Sequence, residues 1–333
     1  MDYTGIFDRF KGKRILVVGD VMIDSYLRGK VTRISPEAPV PIVNLEHQED
    51  RLGGSGNVAL NLVSLGAEPV LCSVIGNDPQ AILLRELLHQ NGVSAEGLVL
   101  SNERKTTVKT RVIGNNQQLI RVDAEQTTSV SSDEEVELIS TVCSLIAGGV
   151  DGLIFEDYNK GVLTQRVITE IIEECNRFNV ITVVDPKKDN FFTYRHVTLF
   201  KPNLKELKDG LNVQIHFPQD RTSFENAITE LENRLQNKIS FVTLSEHGVY
   251  IRDTSESHYF PAHLRNIADV SGAGDTVISV AALCLSAGLS LSEVAQIANI
   301  AGGLVCEKSG VVPIEREQLL AEVNRILSSN KRN

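Results

Sequence analysis

Apolar residues follow two rhythms in this chain. Short apolar runs that end in a polar residue recur: Ile15-Leu16-Val17-Val18-Gly19-Asp20, Leu153-Ile154-Phe155-Glu156-Asp157, Ile181-Thr182-Val183-Val184-Asp185, Leu199-Phe200-Lys201-Pro202-Asn203 and Phe241-Val242-Thr243-Leu244-Ser245. Between several of them apolar residues return at helical spacing. Over 133–147, Val136, Ile139, Val142 and Ile146 form one stripe, and 164–177 and 221–235 behave similarly. Apolar strands alternating with amphipathic helices predict an α/β fold whose parallel sheet is covered on both faces. Ligands of such folds sit beyond the carboxyl ends of the strands, where these polar residues would lie.

Two stretches break that rhythm. Residues 26–52 contain Pro36, Pro39 and Pro41 and alternate around Val40, Ile42, Val43 and Leu45. Residues 105–123 also alternate, with Gly114-Asn115-Asn116 as a hairpin turn between 107–113 and 117–122. With no helix between their strands, both read as antiparallel additions that could pair into a small sheet over the crevice. Such a lid would keep water from a reacting group. Two edge hairpins, or a sheet that forms a dimer, fit the same pattern. No repeat, low-complexity tract or linker divides the chain, so a single domain over 1–333 is expected, with lid segments at about 25–52 and 104–124.

Chemistry concentrates at two glycine clusters. Asp269-Val270-Ser271-Gly272-Ala273-Gly274-Asp275-Thr276 precedes a segment, 277–289, that is apolar on nearly every side and so reads as a buried helix. Gly272, Ala273 and Gly274 would form its first turn, with free N–H groups at the positive end of the helix dipole, an arrangement that binds anions. Asp275 would repel an anion as a binding group but suits a base beside a transferring phosphoryl group. An ordinary helix start with a favourable first-turn acid is the plainer reading. The second cluster, Gly53-Gly54-Ser55-Gly56-Asn57, runs into a helix with Val58, Leu62 and Leu65 on one face. It could equally be a tight turn. Neither a strand-led GxGxxG nor a GxxxxGK[ST] occurs, which excludes a dinucleotide fingerprint and a P-loop.

Composition narrows the partners. A net charge of -10 argues against a nucleic-acid surface, and no apolar run reaches membrane-spanning length. The N-terminal 13 residues lack an apolar leader core, so a cytoplasmic chain is expected. Five scattered cysteines without a CxxC pair suggest neither zinc nor a disulfide framework.

Taken together, these residues resemble a known family. Gly53-Gly54 with Asn57, and Asp269 through Asp275, look like the two signature motifs of the ribokinase-like (PfkB) sugar kinases, and Pro202-Asn203-Leu204-Lys205-Glu206 resembles their PNxxE segment. The similarity runs from about residue 13 to about 320. Three further segments resemble the kinase domain of D-glycero-β-D-manno-heptose-7-phosphate kinases: Arg33-Ile34-Ser35-Pro36-Glu37-Ala38-Pro39-Val40-Pro41, Asn116-Gln117-Gln118-Leu119-Ile120-Arg121 and Asp157-Tyr158-Asn159-Lys160-Gly161. In many of those relatives an adenylyltransferase domain follows; here only the kinase step is expected.

The resemblance implies a three-layer sandwich with a mainly parallel sheet and a small antiparallel β lid, using ATP and Mg2+. It also implies roles. Asp275 would take the proton from the anomeric hydroxyl of the sugar as that oxygen attacks the γ-phosphorus, with Gly272, Ala273 and Gly274 holding the developing charge. Asp20, Asp24, Gly53, Gly54, Asn57 and Gln118 would bind the sugar, Arg33, Lys109, Arg111 and Arg121 its 7-phosphate, and Lys160 and Lys187 could each reach a phosphate of the ATP or of the sugar. Asp185, Lys187, Asn203, Thr243, Ser245, Gly248 and Asn299 would face the nucleotide, with Glu206 reaching Mg2+ through water. Asp269 and Ser271 mark a site where relatives bind a monovalent cation such as K+. Leu244 stands where those heptose kinases tend to carry arginine. The product would be heptose 1,7-bisphosphate on the way to ADP-heptose for lipopolysaccharide, and a homodimer through the lid is expected. A kinase for another sugar or sugar phosphate, and a silent binding module on the same fold, stay open.

Overall fold

The five apolar runs lie side by side, because an apolar strand with no polar face must be covered by neighbours in its sheet and by helices above and below. A computed structural model describes residues 3–329. In chain order it contains α1 (Tyr3–Asp8), β1 (Arg14–Gly19), β2 (Val21–Ile34), β3 (Pro41–Gly54), α2 (Ser55–Ser64), β4 (Glu68–Gly76), α3 (Pro79–Gln90), β5 (Ser94–Ser101), β6 (Val108–Gly114) and β7 (Gln117–Ala124). Then come α4 (Ser132–Ala147), β8 (Gly152–Glu156), α5 (Gln165–Phe178), β9 (Ile181–Asp185), β10 (Leu199–Phe200), α6 (Leu204–Leu211) and α7 (Arg221–Leu235). The last elements are β11 (Ile239–Thr243), β12 (Val249–Arg252), β13 (Ser257–Phe260), α8 (Ala273–Ser286), α9 (Leu291–Val305) and α10 (Arg316–Ser329).

Nine strands form the main sheet in the order β13-β12-β11-β10-β9-β8-β1-β4-β5. All pairs from β11 to β5 are parallel, and β12 and β13 close one edge antiparallel. Alternation within β1 shows the three layers. Ile15 and Val17 are buried with α2, α8 and α9 on one side, whereas Leu16 and Val18 are buried with α4, α5 and α7 on the other. Each such side chain, fully buried, contributes about 1.5–3 kcal/mol. The register sets Gly19 beside Glu156 and Glu156 beside Asp185, so the polar strand ends form a row along one rim of the sheet.

Several expectations are adjusted. On α4, Val136 is exposed and Leu138 is buried with Ile139, Val142 and Ile146. A stripe over one helix leaves its phase open by one residue, and the capping box of Ser131 and Glu134 fixes it here. The run at 199–203 gives only two paired residues, since Pro202 lacks an N–H to continue the ladder.

The small sheet has the order β3-β2-β6-β7. Two antiparallel hairpins, β2–β3 and β6–β7, are joined by a parallel β2–β6 pair. Asn115 and Asn116 at the second hairpin both have positive φ, 51° and 64°, as a two-residue turn matched to strand twist requires. β2 begins one residue after β1 ends, so this sheet grows directly from the strand-end rim.

Candidate active site

Helix α8 points its first turn at that rim. Gly272 precedes it with φ 78°, a conformation that favours glycine, and no side chain caps the turn. Of the three amides expected to face a ligand, that of Ala273 is engaged: it donates to the carbonyl of Val270 at 3.3 Å. Gly274 carries the close approach. A Cβ there would lie 3.5 Å from Asp185 Oδ2 and 3.9 Å from Lys201 Nζ, so the side chains from β9 and β10 meet the helix start.

Asp275 is buried at this junction and accepts a hydrogen bond from Tyr158 Oη at 3.1 Å on Oδ1. Burial, and then the neighbouring Asp185 carboxylate, push its carboxyl up to about 6, against hydrogen bonds from Asn57 and Tyr158 and the charge of Lys201. Asn57 therefore reaches the same carboxyl from α2. Asn61, one turn on, staples the two helices. Its Oδ1 accepts from Thr276 Oγ1 at 3.1 Å and from the Ile314 amide at 2.9 Å, and its Nδ2 donates to the Asn57 carbonyl.

Beneath lies a row of buried charge. Lys201 Nζ pairs with Asp185 Oδ2 at 2.8 Å, almost without solvent. Lys187 pairs with Glu206 Oε1 at 2.9 Å and stands 3.7 Å from Asp185 Oδ1. Burial alone would lower both lysines, but Asp185 and Glu206 outweigh it and hold them raised, hence charged. Glu156 is buried with Oε2 unpartnered among the described residues, and desolvation followed by the charges of Asp185 and Asp275 drives its carboxyl well above the usual range. Glu156, Tyr158, Asn61 and Lys201 also meet at this junction and are not among the residues the sequence singles out for the site. Glu156 and Lys201 carried a signal, since each is a charged residue closing an apolar strand.

Asp20 is buried against the loop after β8. Its Oδ2 accepts from the amides of Tyr158 (2.9 Å) and Lys160 (3.0 Å), and its Oδ1 from that of Val162 (3.2 Å). Both oxygens therefore anchor the loop after β8. Lys160 in turn pairs with Glu125 at 2.6 Å, at the foot of the small sheet.

Asp24, five residues along from Gly19, does face the crevice. Arg111 Nη1 pairs with its Oδ1 at 2.5 Å, and a Cβ on Gly53 would fall 2.4 Å from its Oδ2, so glycine here makes room for the carboxylate. Gly54, with φ 59°, admits the Asp20 carbonyl in the same way. The register places Asp24, Tyr26, Arg28, Arg51, Lys109, Arg111 and Arg121 on one face of the small sheet. Three guanidiniums, those of Arg28, Arg51 and Arg111, stand 5.5, 5.3 and 5.1 Å from the ring centroid of Tyr26. Arg28 and Arg51 were not anticipated. Alternating charge on a strand reads as a solvated face until register is known. Arg33 is not brought to this cluster. It is exposed on β2 beyond two bulges, ~30 Å from Asp24 at about 3.3 Å per residue. Gln118 is exposed, and Arg121 is held by Asp123 at 2.9 and 3.0 Å.

On the other side, Asn203 and Glu206 form the capping box of α6, each side chain bonded to the other's amide at 2.8 Å. Glu206 Oε2 is thus committed to Asn203 and Oε1 to Lys187, which leaves a water-mediated link as its fit to Mg2+. Asn203 bridges to Thr243 at the end of β11. Ser245 opens a short 3-10 turn with φ 53°, Gly248 lies under the Phe260 carbonyl, and Asn299 donates to the Pro261 carbonyl at 3.0 Å. Leu244 is buried in the second core. Asp269 accepts from the amides of Ser271 (2.9 Å) and Gly310 (3.1 Å), and those bonds, Ser271 first, hold its carboxyl low and ionised.

Comparison with known proteins agrees with this geometry. The model of the pfkB family carbohydrate kinases matches residues 13–317. The bifunctional protein HldE of Citrifermentans bemidjiense is 39% identical over 323 residues, which is 97% of this chain and 66% of that protein. The one from Sulfurimonas denitrificans is 39% identical over 306 residues, 92% of this chain and 63% of that protein. The chain thus spans just under two thirds of these relatives. Among solved structures, Arabidopsis thaliana ribokinase complexed with ribose and ATP superposes with a TM-score of 0.70 at 16% identity, covering 94% of this chain and 99% of that one. Phosphofructokinase-2 from Escherichia coli in complex with potassium gives 0.75 at 18%, covering 95% and 99%. The ribokinase-like fold is therefore shown. No helix among the described residues is long and apolar enough to cross a membrane.

Proposed function

Because this chain belongs to the pfkB family of carbohydrate kinases and is an ATP-dependent sugar kinase, we propose that its acceptor is D-glycero-β-D-manno-heptose 7-phosphate, phosphorylated at the anomeric hydroxyl. One observation carries the choice of a phosphorylated sugar. From Asp275 the contacts run through Asn57 to α2, and past Gly53 and Asp24 to three guanidiniums gathered on Tyr26. Asp24 and Glu49 already pair with Arg111 and Arg51, so two carboxylates face three guanidiniums on one ring; that cationic surplus favours a further anion, and arginine forks suit a phosphate. The heptose itself is favoured by the resemblance of the Arg33–Pro41, Asn116–Arg121 and Asp157–Gly161 motifs and by the relatives named HldE.

In this reading Asp275 takes the hydroxyl proton as the sugar oxygen attacks the γ-phosphorus and ADP leaves. The Gly274 amide, the helix dipole and Lys201 stabilise charge spreading over the phosphoryl oxygens. Lys187, Asn203 and Glu206 hold the nucleotide side, where Glu206 would hold Mg2+ through water and the ion would supply charge neutralisation. A monovalent cation is assigned to Asp269, whose ionised carboxylate the Ser271 and Gly310 amides steady. Leu45, Ile120 and Val122, exposed apolar residues on the opposite face of the small sheet, are assigned to a homodimer.

The test is turnover of ATP with heptose 7-phosphate against ribose, fructose and fructose 6-phosphate, with the product position read by phosphorus NMR. Faster turnover of an unphosphorylated sugar would sink the heptose assignment. In the same assay Arg51→Ala and Arg111→Ala should each raise KM for heptose 7-phosphate by about 10- to 100-fold, the worth of one charge-assisted contact of about 1.5–3 kcal/mol, with KM for ATP within about twofold. Equal losses for both ligands would remove the phosphate from this cluster.

A further inference from the structure

Tyr158 is placed with more constraint than any motif required. Its amide donates to Asp20 Oδ2 at 2.9 Å, and the next residue, Asn159, has φ 53° and donates to Asp157 Oδ1 at 2.8 Å. The Lys160 amide returns to Asp20, and Gly161 is packed so tightly that a Cβ would lie 2.0 Å from the Thr128 carbonyl. The main chain is thus clamped on both sides of a single ring. That ring has the Lys187 ammonium 5.8 Å from its centroid, on the nucleotide side, and sends its hydroxyl to Asp275 Oδ1 at 3.1 Å.

We propose that Tyr158 is a positioning residue for the base: its O–H fixes the rotation of the Asp275 carboxylate, leaving the second oxygen turned to the sugar hydroxyl, and holds that carboxylate ionised. The inference rests on the reading of Asp275 as the base. The groups facing Asp275 are Asp185 from β9, Glu156 from β8, Lys201 after β10, Asn57 from α2 and Tyr158 itself. Asp185 is the carboxylate that opposes its ionisation, whereas Glu156, itself held far above the usual range, stays protonated. Asn57 and Tyr158 are the neutral donors that favour it, and Asn57 belongs to the sugar side. The phenol keeps its own proton throughout, because burial and then Asp275 and Glu156 raise it well above the usual tyrosine range. In the transfer, the proton leaving the sugar oxygen goes to Asp275, and Tyr158 only donates its hydrogen bond.

The experiment is the pH dependence of kcat and KM for Tyr158→Phe with ATP and heptose 7-phosphate, beside Asp275→Asn. The plateau kcat should fall about tenfold, with both KM values within about twofold, and the acid limb should move up by roughly one pH unit, the equivalent of one lost hydrogen bond to a charged group. Site-specific 3-fluorotyrosine at 158 keeps the hydroxyl and makes it a stronger donor, so it should restore the rate and move the limb down. A lower rate with an unmoved limb in both variants would reduce Tyr158 to packing and overturn the proposal. Undiminished turnover in Asp275→Asn would instead remove the base, and the proposal with it. An inactive Asp275→Asn beside a wild-type-like Tyr158→Phe would overturn the proposal alone.

Discussion

Asp275→Asn should lower kcat by about 10²–10⁴ while binding of ATP and sugar stays near normal, as expected for loss of a general base. For the unaltered enzyme the rate should fall as pH drops through about 6, where the buried carboxyl takes up a proton and can no longer accept one. Stability has the opposite sign. The folded-state value of about 6 exceeds the ordinary 3.8, so ionised Asp275 weakens the fold. That penalty is absent below the unfolded pKa, grows as pH rises between the two values, and reaches about 3 kcal/mol above them. The Asn variant should therefore melt at a higher temperature than the parent near neutral pH, with the gap closing under acid. Calorimetry at the two pH values, next to kinetics, checks both halves. A variant that is slow and also less stable at neutral pH would mean that damage to the fold, rather than loss of a base, explains the rate.

Lys201→Met should have the largest effect on stability. Lys201 and Asp185 pair at 2.8 Å with almost no solvent, and removing the cation leaves Asp185 buried beside Glu156 and Asp275. Breaking one partner of a buried pair costs about 3–5 kcal/mol, roughly 4–7 °C in Tm for a chain of this size. Asp185→Asn with Lys201→Met should recover most of that loss, because the stranded charge is gone. If the double variant melts no higher than the single, the pair is not what holds the rim together.

The parallel sheet was legible because continuous apolar runs admit few other fates, and the hairpin at Asn115-Asn116 because both residues tolerate positive φ. The first turn of α8 was legible for a related reason: Gly272, Gly274 and Asp275 stand together in the sequence and form one helix start in space. What escaped depends on partners far along the chain. Asp20 reads as a free acid until the loop at 158–162 folds back and sets three amides on it. Arg28 and Arg51 read as solvated charges until strand register places them around Tyr26 with Arg111. Arg33 is the reverse case, since an extended strand carries this motif residue away from the arginine cluster around Tyr26.

Asp20 is also the single residue between β1 and β2, so the root of the small sheet and the anchor of the Tyr158 loop are the same point of the backbone. A tilt of that sheet would therefore be felt at Asp20 and, through it, in the loop that carries Tyr158.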